Sequence, residues 1–206
     1  MKKLIVVAAM LLVCATSFAQ LNVNLGYANM TTRYKTGNDL YSSRLNGFTV
    51  GAGYSLELAD GFFFTPGVNY LFTAGDTNST PGPVSLKGSI TEHYVNVPLT
   101  LSYDLPLSGS VKLFVFAGPT ASVGVASNTK LTVNVGPYKA DEVVDNYKDN
   151  TYYRFNLLLG GGIGLKVSDS YLVKVGYDFG LLNRSGVQNV SEHDRVLTVG
   201  IAYLFE

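Results

Sequence analysis

The sequence predicts an all-β fold, an eight-stranded antiparallel up-and-down transmembrane β-barrel. Three observations lead to this prediction. Apolar and polar residues alternate through eight runs, which is the period of β-strands. The connections between the runs alternate between short and long, as they do at the two rims of a bacterial outer-membrane barrel. One face of the alternating runs is large and apolar, whereas the other is small or polar.

The eight predicted strands follow the alternation in chain order. They cover approximately residues 21–29, 46–58, 62–72, 92–104, 111–126, 152–167, 171–182 and 194–206. The short connections are 59–61, 105–110 and 168–170, and the long ones, rich in Asn, Thr, Ser, Asp and Gly, are 30–45, 73–91, 127–151 and 183–193. An even number of strands places both ends of the barrel on the side of the short turns, which face the periplasm in bacterial barrels.

The two faces of the strands differ in a way that favours lipid outside the barrel. The second strand shows the pattern, with Phe48, Val50, Ala52, Tyr54 and Leu56 on one face and Thr49, Gly51, Gly53, Ser55 and Glu57 on the other. The strand charges fall on the small face, at Glu57, Asp104, Lys112, Arg154, Lys166, Lys174 and Asp178. A basic side chain that faces lipid at mid-membrane costs about 2–4 kcal/mol, so we expect the apolar face to contact lipid.

Aromatic residues of the apolar face gather near the strand ends, which predicts two girdles at the two membrane interfaces. The girdle near the short turns comprises Phe62, Tyr103, Tyr171, Tyr203 and Phe205. The girdle towards the long loops comprises Tyr27, Phe48, Phe72, Tyr153, Phe155 and Phe179. A soluble ligand-binding barrel would show the reverse arrangement, apolar inside and polar outside.

The small face predicts a filled lumen rather than an open pore, because an eight-stranded wall encloses a space that side chains can fill. Phe63, Phe114 and Phe116 point inward by phase, and glycines on the same face make room for bulky groups. These glycines are Gly51, Gly53, Gly160, Gly162, Gly164, Gly176 and Gly180. We expect Asp104 to pair with Lys112 across their hairpin.

Two further expectations concern the strands. Glu57 is expected to be available to Lys166 or Lys174 near the same end of the barrel. Three prolines lie inside predicted strands, at Pro66, Pro98 and Pro119. A closed barrel has no free edge on which to place a residue that lacks the backbone donor, so we expect β-bulges at these prolines.

The first nineteen residues predict a cleaved signal peptide, which leaves residues 20–206 as the outer-membrane barrel domain. A basic start at 2–3 precedes an apolar run at 4–13 that is too short to span a bilayer as a helix. Residues 17–19, Ser-Phe-Ala, supply the small residues that a signal peptidase reads.

A lipoprotein signal at Cys14 is the alternative, but the bulky Val13 stands where a lipobox requires a small residue. Cleavage of the signal removes that cysteine, so the mature chain would contain no disulfide, thiolate metal site or cysteine nucleophile. Without Lys2 and Lys3 the 15 basic residues fall to 13, against 15 acidic ones. This balance provides no basic excess for binding nucleic acid.

A sequence block and its successor resemble a known family. The block 93–103, His-Tyr-Val-Asn-Val-Pro-Leu-Thr-Leu-Ser-Tyr, is followed by Phe-Val-Phe-Ala-Gly-Pro at 114–119. This resembles the PorT-type outer-membrane β-barrel family of Bacteroidota, as does the ending Gly-Ile-Ala-Tyr-Leu-Phe at 200–205. The resemblance implies a small barrel in the outer membrane of a Gram-negative envelope, inserted by the barrel insertion machinery, which reads the C-terminal aromatic residue. It implies no reaction, although PorT itself is associated with protein secretion.

Four patterns that could carry chemistry have structural explanations. The glycine-rich segment 160–164 lacks the spacing of a dinucleotide-binding loop and is explained by a crowded lumen. The penicillin-recognising motifs Ser127 to Lys130 and Lys35 to Gly37 occur in the wrong chain order. The acidic segment 141–149 lacks the spacing of an EF-hand and is explained by a solvated loop.

The fourth pattern is the pair of histidines, His93 and His193, each beside an acidic residue. The rim of an outer-membrane enzyme can use such groups as general bases, but these two belong to strands on opposite sides of the predicted barrel. We therefore assign no catalytic, cofactor-binding or metal-binding residue and expect no cofactor.

The predicted function is that of a non-enzymatic integral outer-membrane barrel that presents its long loops outside the cell. Adhesion, envelope integrity and contact with a secretion partner all suit such loops. The expected partners are the lipid bilayer, the insertion machinery, and a protein or glycan at the loops. The alternatives are an outer-membrane enzyme with rim histidines and a small pore.

Overall fold

The computed structural model describes residues 19–37, 39–79, 84–135 and 138–205. Its strands are β1 (Ala19–Thr36), β2 (Asp39–Ala59), β3 (Phe62–Ser79), β4 (Val84–Ser108), β5 (Val111–Val135), β6 (Tyr138–Asp145), β7 (Phe155–Val167), β8 (Tyr171–Gly180) and β9 (Val190–Leu204). Within these described ranges, no helix is long and apolar enough to cross a membrane. The predicted signal peptide lies outside the described residues except for Ala19, so its cleavage stays a prediction.

Eight of these strands close into an antiparallel ring. Strands β1 to β5 pair in chain order, β5 also pairs with β7, and β7, β8 and β9 follow in order until β9 closes onto β1. The remaining strand, β6, pairs with β5 and lies outside the ring. The predicted eight-stranded up-and-down barrel is therefore confirmed. We call the rim with the three short turns the turn end, and the opposite rim the hairpin end.

Three of the four predicted long loops are largely strands, so that part of the prediction was wrong. β1 and β2 stay paired through segment 30–45 as far as Thr36↔Asp39, and β3 and β4 stay paired to Ser79↔Leu86. Segment 127–151 contains the end of β5 and all of β6. Beyond the membrane both faces of a strand meet water, so the apolar alternation ends while the hydrogen-bonded ladder continues.

The assignment of the two faces is confirmed along the membrane-spanning part of the ring. On β9, for example, Ile201 is 58% exposed on the outer wall, whereas its neighbour Ala202 is 8% exposed in the lumen. Aromatic side chains of each predicted girdle lie next to one another. The ring centroids are 4.4 Å apart for Phe62 and Tyr103 at the turn end, and 5.6 Å apart for Phe48 and Phe72 at the hairpin end.

Side chains fill the lumen in layers. An apolar layer near the turn end contains Phe114, Leu172, Ala202 and Leu204, with Phe116 against it. A second apolar layer near the hairpin end contains Ala28, Met30, Leu45, Leu71, Tyr94, Leu158 and Val196. The glycines make room for the first layer as predicted. A Cβ at Gly164 would lie 2.5 Å from Cε1 of Phe114, and one at Gly162 would lie 2.6 Å from Cζ of Phe116.

The three strand prolines interrupt the ladder without shifting its register. Pairing between β3 and β4 stops after Pro66↔Leu99 and resumes at Asn69↔Asn96 in the same register. The described register shifts occur elsewhere, such as at His93/Tyr94. The expectation of bulges at the prolines was wrong, because the barrel tolerates a few missing ladder bonds at one height instead of inserting a residue.

Candidate functional site

The hairpin end of the lumen contains a buried cluster of charges around one arginine. Arg184, in segment 181–189 between β8 and β9, is 1% exposed. Its Nη2 lies 2.8 Å from Oε1 of Glu92 and 3.0 Å from Oε1 of Glu192, and its Nη1 lies 3.4 Å from Oδ2 of Asp194. The guanidinium also donates to the hydroxyl of Tyr94. We call these five residues the mouth cluster.

The carboxylates of the mouth cluster have further donors from the barrel wall. Glu92 accepts hydrogen bonds from the hydroxyls of Ser127, at 3.1 Å, and Tyr94, at 2.8 Å. Asp194 accepts one from Thr32 at 2.9 Å and one from Asn156 at 3.3 Å. Strands β1, β4, β5, β7 and β9 therefore all contribute to one polar network across the lumen.

Backbone hydrogen bonds hold the loop that carries Arg184. The Arg184 amide donates to the Glu192 carbonyl at 2.9 Å, and the Tyr153 amide donates to the Arg184 carbonyl at 2.8 Å. The side-chain oxygen of Asn183 accepts from the Glu192 amide at 2.8 Å. The ring of Tyr152 lies 4.3 Å from the Arg184 guanidinium and covers its other side. The loop is thus fixed over the mouth of the barrel.

Glu192 lies in the part of β9 beyond the membrane, because it pairs with Tyr34, seven residues past the girdle residue Tyr27. Burial raises the pKa of Glu192 to about 7, Arg184 opposes that rise, and Asp194 adds to it. The cluster contains more carboxylates than cations. Glu192 can therefore hold a proton near neutral pH.

The turn end of the lumen contains a simpler arrangement. Nζ of Lys166 on β7 lies 2.5 Å from Oδ2 of Asp104 on β4, and both side chains are buried. We call these two residues the turn-end ion pair. The predicted partner, Lys112, instead binds Asp169 of the β7–β8 turn at 2.6 Å. The Asp104–Lys112 prediction was wrong because Asp104 lies opposite Phe114 in the ladder, and Lys166 reaches past that position.

Two other predicted inward charges are placed differently. Arg154 lies just before β7, is exposed, and places its guanidinium 4.3 Å from the ring centre of Tyr147. It donates to the carbonyls of Gly124 and Val125 at 3.0 and 2.9 Å. Glu57 is exposed, and within the described residues it forms no ion pair with either predicted lysine.

Between the two apolar layers, the lumen contains a polar cavity of about 120 Å³. Its lining includes Lys174, Asp178, Asn24, Asn69 and Asn96. A space of this size in a polar setting suits a few water molecules. Phe116 of the turn-end layer and Leu71, Leu158 and Val196 of the hairpin-end layer also line this cavity.

The structure places the two histidines far apart. His93 on β4 and His193 on β9 lie on opposite sides of the ring, as predicted. The His93 Nδ1 is hydrogen-bonded to the hydroxyl of Tyr70 at 2.5 Å, and its ring packs against Phe72. The His193 Nδ1 lies 3.1 Å from the carbonyl oxygen of Gly180. Among the described residues, neither histidine is hydrogen-bonded to a serine side chain or to the other histidine.

The remaining patterns also take structural places. Ser127 is buried in the lumen while Lys130 is exposed, because residues three apart on a strand lie on opposite faces. In the acidic segment, Asp141 binds Lys139 at 3.0 Å, and Asp145 accepts hydrogen bonds from backbone amides of the following turn. Among the described residues, no three His, Cys, Asp or Glu residues come together as a metal site.

Sequence reasoning missed the mouth cluster. Its arginine lies in a segment with no strand periodicity, and nothing in the local sequence distinguishes it from a solvated loop residue. Glu92 and Asp194 drew attention only as neighbours of the histidines. The alternation along the strands places Glu92 and Asp194 on the inward face, and these two inward carboxylates were the available signal that a buried cation must lie near them.

The closed ring, its lipid-facing apolar belt between two aromatic girdles and its filled lumen define a small integral membrane β-barrel. A family model described as an outer membrane protein beta-barrel domain matches residues 15–185. The chain belongs to this family, and the protein is located in the outer membrane of a Gram-negative envelope. In such proteins the short turns face the periplasm, so the hairpin end faces the outside.

Comparison with known proteins yields structural relatives at low identity. No curated protein matches the chain in sequence. The Ail protein of Yersinia pestis, solved in complex with the heparin analogue sucrose octasulfate, aligns with a TM-score of 0.48 at 14% identity, over 91% of this chain and 99% of Ail. Neisserial surface protein A aligns with a TM-score of 0.46 at 14% identity, over 89% and 97% of the two chains. The outer membrane enzyme PagL aligns with a TM-score of 0.39 at 15% identity, over 87% and 99%.

Proposed function

We propose that this protein is a non-enzymatic, closed barrel that holds stiff β-hairpins above the outer membrane for contact with a protein or glycan. The observation that carries the proposal is the continuation of the strands beyond the apolar belt. From the girdle residue Tyr27 the β1–β2 ladder runs on to Thr36↔Asp39. At about 3.3 Å per residue, this is roughly 30 Å of paired strand.

The chemistry of the extensions supports a binding role. Large apolar or aromatic side chains are strongly exposed there, with Tyr138 79%, Leu40 66% and Val143 65% exposed. Exposed side chains of this kind on a preorganised element suit a binding surface, because little conformational freedom is lost on binding. β6 pairs with β5 along one edge, and its other edge has no partner among the described strands. An extended segment of a partner protein can add to such an edge.

The test is chemical cross-linking on intact cells, followed by identification of the captured molecules. In one variant, a Gly-Ser turn replaces residues 131–142, which removes most of the β5–β6 hairpin. Asn146 and Tyr147, which pack in the mouth, are retained. We expect the captured set to shrink while the barrel still folds, as judged by its anomalous mobility on unheated gels. A second test variant shortens the β1–β2 hairpin instead. An unchanged captured set in both variants would refute the proposal.

We propose that the protein is a PorT-type member of its family. The residues of the two family motifs support this, since 93–103 lies on β4 and 114–119 lies on the neighbouring β5. Contact with a secretion partner is then one form of the binding role. Deletion of the gene, followed by measurement of secreted proteins, tests this form. Unchanged secretion would leave adhesion or envelope integrity as the role.

We propose no catalytic, cofactor or metal residue. The separate positions of His93 and His193 support this, and replacing both by alanine should leave any lipid- or peptide-cleaving activity of the preparation unchanged. We also propose that the barrel does not conduct. Purified protein in a planar bilayer should show no stable open steps, and reproducible steps would favour the pore instead.

A further inference from the structure

The outer wall beyond the hairpin-end girdle is not evenly charged. Residues of the outward face alternate along β9, β1 and β2 in the same phase as the lipid-facing Tyr27 and Phe48. Beyond the girdle this phase presents four cations, Arg33, Lys35, Arg44 and Arg195. We call them the basic patch.

The register brings these cations into adjoining rows. Arg195 and Arg44 pair with Thr31 from its two sides, and in the next row Arg33 pairs with His193. Neighbouring strand backbones lie about 4.8 Å apart, so the Cα atoms of Arg195 and Arg44 are roughly 10 Å apart across β1. A shallow groove of about 340 Å³ contains Arg33, Lys35 and Arg195 in its lining, with Phe179 at its membrane edge.

Within the described residues, none of the four cations forms an ion pair within 4.0 Å. The acidic neighbours Glu192 and Asp194 point into the lumen, where Arg184 binds them. Asp76 on β3 is the nearest outward acid by register and is not paired with Arg44. In the described part of the chain, all four positive groups of the patch are therefore free of ion pairs within 4.0 Å.

The opposite part of the wall gives a contrast. On β5 and β6 the outward cations Lys130 and Lys139 lie 3.9 and 3.0 Å from Asp141. The two cations on that side share one carboxylate, so part of their positive charge is neutralised within the protein. Four cations without an ion pair therefore gather in one sector of the described wall, β9–β1–β2.

We propose that the basic patch binds the phosphate groups of an outer-leaflet lipid headgroup. The patch begins where the apolar belt ends, since the Arg195 guanidinium lies 5.5 Å from the ring centre of Phe179. Basic clusters at a membrane surface attract anionic headgroups, and the planar guanidinium fits phosphate with two parallel hydrogen bonds. Free phosphate shares this chemistry, but a lipid also places its acyl chains against Leu197 and Val199, which lie directly below the patch on β9.

The test measures binding to the detergent-folded barrel by native mass spectrometry. The probes are a phosphorylated lipid A, the same lipid with its phosphates removed, and inorganic phosphate. The patch variant is Arg33→Gln with Arg44→Gln. The control variant, Lys130→Gln with Lys139→Gln, removes the same charge from the opposite wall. A second variant, Arg33→Lys with Arg44→Lys, keeps the charge, and gel mobility verifies folding.

We expect wild-type protein to prefer the phosphorylated lipid, and the patch variant to bind it roughly 30-fold more weakly, from the ordinary contribution of two basic side chains at an anionic surface. The control variant should stay within about twofold and the lysine variant should keep most of the affinity. Equal losses in the patch and control variants would overturn the proposal, as would equal binding of the dephosphorylated lipid. Millimolar inorganic phosphate that displaces the lipid completely would indicate a free-phosphate site and also overturn it.

Discussion

The two ends of the lumen bury charge in different ways. At the turn end, the turn-end ion pair joins one carboxylate to one ammonium, and both residues belong to strands of the wall. At the hairpin end, one guanidinium faces three carboxylates, and Arg184 comes from the irregular segment between β8 and β9. The turn-end ion pair is balanced in charge, whereas the mouth cluster carries an excess of negative charge when its acids are ionised.

This difference indicates what each end depends on. The turn-end ion pair forms whenever the strands close in register, so it depends only on the pairing of the strands in the wall. The mouth cluster also requires the loop to fold inward, and its charge balance depends on protonation of Glu192. Buried pairs cost the desolvation of both ions, so the net stability of either site is best measured by breaking it.

The largest expected effect is that of Arg184→Met. Removing the cation leaves three carboxylates buried without it, and losing one partner of a buried pair typically costs about 3–5 kcal/mol. We expect a loss at the upper end of this range, measured by urea unfolding in detergent with gel mobility as the readout. A loss smaller than that of Lys166→Met would show that the mouth loop releases and admits water instead.

The turn-end ion pair is tested by a double-mutant cycle. Lys166→Met should cost about 3 kcal/mol, and adding Asp104→Asn should recover part of that loss, because the remaining charge is then removed. Strictly additive losses would contradict the pair. Lys112→Met is the matched control. Its bond to Asp169 is solvent-exposed, so it should cost less than about 1 kcal/mol.

The third prediction concerns pH. The folded-state pKa of Glu192, about 7, exceeds its ordinary value of 4.5, so the folded state binds more protons between these two values. Stability from this group is therefore present below about pH 4.5 and falls as the pH rises to about 7. Glu192→Gln should remove this slope, which we expect to be on the order of 2 kcal/mol between pH 5 and pH 8. An unchanged slope in the variant would place the titration elsewhere.

The smallest expected effect tests packing next to the turn-end ion pair. A Cβ at Gly176 would lie 3.1 Å from Cζ of the Phe116 ring. Gly176→Ala should therefore cost about 1 kcal/mol by overpacking the turn-end layer. In a Phe116→Leu background the same substitution should cost less. A cost that does not depend on residue 116 would point to the backbone rather than to this ring.

The alternation along each strand was sufficient to predict the ring, its lipid-facing wall and its girdles. The period of two is a local property of an extended chain, so it identifies the inward Phe114 and the outward Phe48 without knowledge of any partner strand. The polar hairpin extensions were not predicted, because a strand that meets water on both faces has no apolar period. The same absence of a period hid β6.

The sequence by itself determined which face of each strand meets lipid and that bulky side chains enter the lumen, since both follow from the order of residues along one strand. The tertiary structure alone decided which charges meet. Closing the ring staggers the strands. Asp104 consequently lies beside Phe114 and within reach of Lys166, while Lys112 is left to Asp169. Arg184 reaches three carboxylates from β4 and β9 because the loop between β8 and β9 folds over the mouth, a contact between distant parts of the chain that no local pattern encodes.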